Sequence, residues 1–138
     1  MFASIQQKEL RVRALFKGLT TPEEKYKKII EFGQELPPMS LQEEAHLVPG
    51  CQSRVYLAPH VEGRLLYLSA ASDALISAGL AHLLVAVYSG ETPEAILRTP
   101  PTFFKELGIL SSLSPGRANG LASMWRRIQE LALSTVSR

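Results

Sequence analysis

The chain has 138 residues, 46% of them hydrophobic and 20% charged, enough to bury a core within one domain and too apolar for a disordered chain. Its net charge is only +2. The basic residues Lys8, Arg11, Arg13, Lys17, Lys25, Lys27 and Lys28 are interleaved with Glu9, Glu23, Glu24, Glu31 and Glu35, a pattern of solvated helix faces that argues against nucleic acid as a partner.

Residues 1–8 lack the apolar run of a signal peptide. Residues 4–16 predict a first helix with Ile5, Leu10, Val12, Leu15 and Phe16 as apolar positions and a fraying first turn. Thr21, Pro22 and Glu24 spell a capping box with proline at the first helical position. Ile29, Phe32 and Leu36 form the inward stripe of that second helix, and Pro37-Pro38 stops it. A polar loop follows through residue 47, with a short third strand expected at 46–48.

Residues 54–58 and 64–69 read as two antiparallel strands joined through Pro59-His60-Val61-Glu62-Gly63. From there the pattern is helical to the end. Ser72 or Asp73 opens a buried helix over 74–88, too short for the roughly 20 apolar residues of a membrane span. Thr92-Pro93 opens a short helix, and Thr99-Pro100-Pro101 ends it. One or two helical turns follow at 103–107. Ser114-Pro115 opens a last helix to about residue 135, with Leu121, Met124, Trp125, Ile128, Leu131 and Leu133 as its stripe. The expected architecture is α+β, one domain over 1–138, with a small antiparallel sheet of about three strands packed against several helices.

The only cysteine, Cys51, lies in the run Val48-Pro49-Gly50-Cys51-Gln52-Ser53. With no second thiol it forms no intrachain disulfide, which suits a reducing cytoplasm. Pro49 fixes φ and Gly50 frees it, so the pair reads as a tight turn presenting the thiol. A lone cysteine is either a small buried hydrophobe or a reactive group, and access and ionisation decide which. His46, His60 and His82 are not spaced with Cys51 as metal ligands. Gly116 and Gly120 flank Arg117-Ala118-Asn119 at a helix start, but no nucleotide-binding run accompanies them.

The string Pro49-Gly50-Cys51-Gln52-Ser53-Arg54-Val55-Tyr56 resembles the signature loop of the SufE family of sulfur acceptors. Three further blocks are similar to that family in order: Thr21-Pro22-Glu23-Glu24-Lys25-Tyr26 with residues 31–37, the run from Ser72 to Leu80, and the run from Leu113 to Leu121. Tyr56 stands where the family often has tryptophan, and Gly116 where serine is common. The resemblance implies a SufE/IscU-like fold and a non-enzymatic role. Cys51 would take persulfide sulfur from a SufS/CsdA-like cysteine desulfurase, stimulate that enzyme, and pass the sulfur to an iron–sulfur scaffold. Pyridoxal phosphate would belong to the partner, and this chain would bind no cofactor or metal. Gly50, Gln52, Ser53 and Arg54 would support the loop, with Arg54 a candidate for lowering the thiol's pKa. Asp73, Arg117 and Asn119 would lie beside the site or dock the partner, Asp73 chiefly as a helix cap. The alternatives are an iron–sulfur scaffold, a thiol hydrolase using His46 or His82, and a thiol-independent adaptor. One thiol falls short of the several that cluster ligation takes.

Overall fold

The computed structural model describes residues 4–35, 46–51 and 53–136. The expected Pro37-Pro38 stop, Leu36, most of the polar loop and Gln52 lie outside them. Among the described residues, six helices and a two-stranded antiparallel sheet make up the fold: α1 (Ile5–Phe16), α2 (Pro22–Glu35), β1 (Val55–Glu62), β2 (Leu65–Ser72), α3 (Leu75–Tyr88), α4 (Pro93–Arg98), α5 (Phe103–Glu106) and α6 (Pro115–Val136). One 3-10 turn, Leu110–Ser112, precedes α6.

Three helices open on the expected hydroxyl-then-proline device. Thr21, Thr92 and Ser114 accept the backbone N–H groups of Glu24, Ala95 and Arg117 at 3.1, 3.2 and 3.3 Å. Each satisfies a donor that the helix itself leaves open. The first turn of α1 is capped as well. Ser4 accepts from Gln7 N–H, and the Gln7 side chain accepts from Ser4 N–H. Leu10 and Leu15, expected inside, are exposed; Ile5, Val12 and Phe16 form the buried edge of α1. Lys8 is also not a solvated base. Its Nζ donates to the Glu91 carboxylate at 2.5 Å and to the Ser89 carbonyl at 2.9 Å, tying α1 to the end of α3.

The hairpin is longer than its sequence suggests. Glu62 pairs with Leu65, leaving Gly63-Arg64 as a two-residue turn with only Gly63 at positive φ, the type II′ arrangement. Pro59 sits inside β1 opposite Leu68. Among the described residues no strand pairs with the outer edge of β1 at this position, so the missing N–H costs no ladder bond. The third strand shrinks to an isolated Leu47–Tyr56 bridge, because Pro49-Gly50 turns the chain away. The outer edge of β2 is covered by Gly90 and Glu91, through Gly90 N–H to Leu66 O and Leu66 N–H to Glu91 O.

α3 is the centre of the core and packs against α1, α2, α6 and β2. It is buried on nearly every face, as its run of Leu, Ile, Val and Ala requires. Ile29, Leu80, Leu83, Leu84 and Ile128 are all fully buried, each contributing about 1.5–3 kcal/mol of transfer energy. Leu133, expected in the stripe of α6, is exposed. Among the described residues no helix is long and apolar enough to cross a membrane.

Candidate functional site

The Cys51 loop is closed by the start of the sheet. Val48 N–H donates to the Val55 carbonyl at 2.7 Å, which brings the two ends of the Cys51 loop together at the start of β1. Gly50 takes φ +85°, a conformation costly for any residue with a Cβ. A Cβ there would also lie 2.8 Å from Ser123 Oγ on α6, so the turn rests against that helix. Cys51 follows, half-buried, with its Sγ 3.6 Å from the Gly120 carbonyl, which accepts the thiol proton.

A second tie holds the far side of the loop. Arg117, in the first turn of α6, donates from Nη1 to Ser53 Oγ at 2.7 Å and to Ser77 Oγ at 2.9 Å; the two hydroxyls are 3.3 Å apart. Ser77 is buried in the largely apolar α3. The guanidinium therefore joins loop, α3 and α6 at one point. Hydrogen bonds to a charged group are worth more than neutral ones. Arg117→Ala is expected to cost about 2–3 kcal/mol of stability and to speed alkylation of Cys51 by freeing its loop. Denaturant unfolding and the iodoacetamide rate test both; unchanged alkylation would contradict the clamp.

Asp73 does not cap α3, as the sequence suggested. Ala74 occupies the N-cap without a side-chain bond, and Asp73 Oδ1 instead accepts the backbone N–H of Arg54 at 3.0 Å. Asp73 N–H donates back to the Arg54 carbonyl. This reciprocal pair clips the end of β2 to the exit of the Cys51 loop. The Arg54 side chain turns to Tyr56, donating from Nε to the phenol oxygen at 3.0 Å. Tryptophan at 56 could not accept that bond, since its indole only donates. Asn119 is exposed on α6, one residue before Gly120.

The expectation that Arg54 lowers the thiol's pKa does not hold. Burial pushes the Cys51 thiol up from its ordinary value, and no cation opposes it. The resting thiol is thus protonated at neutral pH. Its alkylation should start below that of a free thiol and rise about tenfold per pH unit until it ionises. Because the folded-state pKa is the raised one, the associated stability is present below the unfolded thiol's pKa. It is lost as pH climbs through the folded value. A neutral-pH alkylation rate at or above that of free cysteine would refute this.

His82 and His60 are engaged elsewhere, and His46 keeps a buried Nδ1 without a hydrogen-bond partner among the described residues. His82 Nδ1 donates to the Phe32 carbonyl at 2.7 Å and its ring meets Phe32 edge-on; His60 Nε2 lies 3.3 Å from Glu62. Among the described residues no imidazole bonds to Cys51, and no group of three or more His, Cys, Asp or Glu gathers as a metal site. Ser77 and Ser123 are the site neighbours that local pattern did not single out, and Gly120 was marked only as a glycine flanking Arg117 at a helix start. A serine in a helix that is apolar apart from it and His82 was the available signal for Ser77.

Geometry thus defines a small α+β protein whose one thiol sits on a glycine-turned loop, shielded against a helix and held by an arginine clamp. The SufE family profile, described as an Fe-S metabolism associated domain, matches residues 10–132. A SufE-like protein of Synechocystis sp. is 34% identical over 122 residues, covering 86% of this chain and 76% of that protein. One from Rhizobium meliloti is 38% identical over 117 residues, 80% of this chain and 84% of that one. The SufE-like protein 1, chloroplastic/mitochondrial, of Arabidopsis thaliana is 38% identical over 122 residues; the match spans 86% of this chain but only 33% of the plant protein. The solution structure of a hypothetical protein from Thermus thermophilus superposes with a TM-score of 0.78 at 27% identity, covering 95% of this chain and 97% of that one. The chain belongs to the SufE family.

Proposed function

We propose that Cys51 accepts sulfane sulfur from the persulfide of a cysteine desulfurase and carries it to a scaffold of iron–sulfur cluster assembly, in the cytoplasm. The half-buried thiol on the Gly50 turn is the observation that supports this most, in a chain of this family. The Cys51 thiolate attacks the outer sulfur of the donor persulfide. A new S–S bond forms, the donor's S–S bond breaks, and the donor thiolate leaves with the electron pair. No outside oxidant enters. Pyridoxal phosphate belongs to the desulfurase, and this chain acts as carrier and activator.

A carrier faces opposed demands: attack takes an ionised, accessible sulfur, whereas transport takes a shielded one that escapes oxidation. Resting against α6, the thiol is protonated and half-buried. Moving out on the Gly50 hinge removes the burial that holds its pKa up. Ser53 and Arg117 anchor the loop's return, the Arg54–Asp73 pair fixes its base, and exposed Asn119 offers a contact for the docking partner. The chain has no second cysteine to release the sulfur as sulfide, which suits onward transfer.

The test is the rate of alanine production by a desulfurase given cysteine and reductant, with this protein or its Cys51→Ser variant added. Wild type accelerates turnover and the variant does not. Equal acceleration by both would make the protein a thiol-independent adaptor.

A further inference from the structure

A persulfide on Cys51 is longer than the thiol by one S–S bond, about 2 Å. Its outer sulfur therefore sits either in solvent or in space beside Sγ. Gly120 borders that space. It is the sixth residue of α6, well within the helix, and its φ is not positive. Glycine at such a position costs about 1 kcal/mol relative to alanine, and the backbone gives no reason for it.

Close helix packing gives none either. Gly33 and Gly79 have backbone atoms at 2.4 and 1.9 Å from where a Cβ would stand, so α2 and α3 cannot tolerate a methyl there. At Gly120 the Cβ position meets only Cys51 Sγ, at an ordinary 3.8 Å. Among the described residues, its chain neighbours and its own helix backbone aside, nothing else lies within 4 Å. One turn further along α6, Ser123 fills the equivalent place against Gly50. The face of α6 is thus closed beside Gly50 and open beside the sulfur.

We infer that Gly120 is a positioning residue for the persulfide: the space left by its missing methyl receives the outer sulfur when the loop rests on α6. This rests on the carrier reading and adds a mechanism of protection to it. A methyl and a sulfur atom are close in size, so alanine at 120 competes for that space. The thiol, 3.8 Å away, is untouched by the change.

The experiment loads wild type, Gly120→Ala and Gly120→Ser with inorganic polysulfide. The Cys51 thiolate, its proton lost to solvent, attacks a sulfane sulfur; one polysulfide S–S bond breaks and the shortened dianion leaves. Cyanide then removes the outer sulfur as thiocyanate and returns the Cys51 thiolate. Intact mass follows this cyanolysis and, separately, iodoacetamide alkylation of the unloaded thiol. Alkylation stays within about twofold of wild type in both variants, while cyanolysis quickens about fivefold or more, since access controls a sulfur's reactivity. Gly120→Ser, one atom larger, gives the larger effect. Equal cyanolysis rates in folded variants overturn the inference, as does a parallel rise in both rates, which marks general loosening. Wild type that loads from polysulfide but takes nothing from a competent, bound desulfurase sinks the carrier reading separately.

Discussion

Cys51→Ser is expected to abolish sulfur uptake completely while leaving the fold intact. Serine is nearly isosteric, and its hydroxyl can donate to the Gly120 carbonyl that now takes the thiol proton at 3.6 Å. Its stability should stay within about 1 kcal/mol of wild type, the scale of one such hydrogen bond. The chemistry has no substitute, because the chain contains no other thiol and a hydroxyl is not a nucleophile toward persulfide sulfur at neutral pH. The variant should unfold at nearly the wild-type temperature and emerge from incubation with a desulfurase at unchanged mass. A sulfur adduct on the variant would move the activity away from Cys51.

Gly79→Ala should be the most damaging small change in the core. A Cβ at 79 would stand 1.9 Å from the Ile29 carbonyl oxygen and 2.6 Å from Ile29 Cγ2. Alanine gains about 1 kcal/mol of helix propensity, but the clash is with the backbone of α2, which no rotamer change relieves. Overpacking costs about 1–3 kcal/mol when side chains can give way; here α2 itself must move, so about 3 kcal/mol or more is expected. That corresponds to a fall of about 10 °C or more in melting temperature. The shift would reach the site too, since Ser77 on the same helix holds Arg117. A melting temperature within a degree or two of wild type would show the α2–α3 crossing to be looser than described.

Features set by neighbours in sequence were legible before the fold was known. The hydroxyl–proline caps at 21–22, 92–93 and 114–115 act within one turn, so the pattern alone marks them. The buried character of α3 needs only its run of apolar residues. Pro59 misled, because a proline inside a strand reads as a break until β1 is known to lie at the edge of a two-stranded sheet. Leu10 and Leu15 misled because a short helix offers several apolar phases, and tertiary contacts select one. At the site, Cys51 and Gly50 were legible from their own loop, and Arg117 through the ordered family blocks. What it touches was not: Arg117 reaches Ser77 across 40 residues, and Cys51 reaches Gly120 across 69. Asp73 looked like a helix cap because aspartate commonly is one; the hairpin brings the Arg54 N–H closer.

The most direct measurement incubates the wild-type protein with cysteine and a competent cysteine desulfurase, traps the products by alkylation, and reads the mass of the peptide containing Cys51. One additional sulfur on that peptide, removed by reductant, is the predicted result. A desulfurase that binds the protein and turns over cysteine, yet leaves Cys51 carrying no sulfur, would contradict the account.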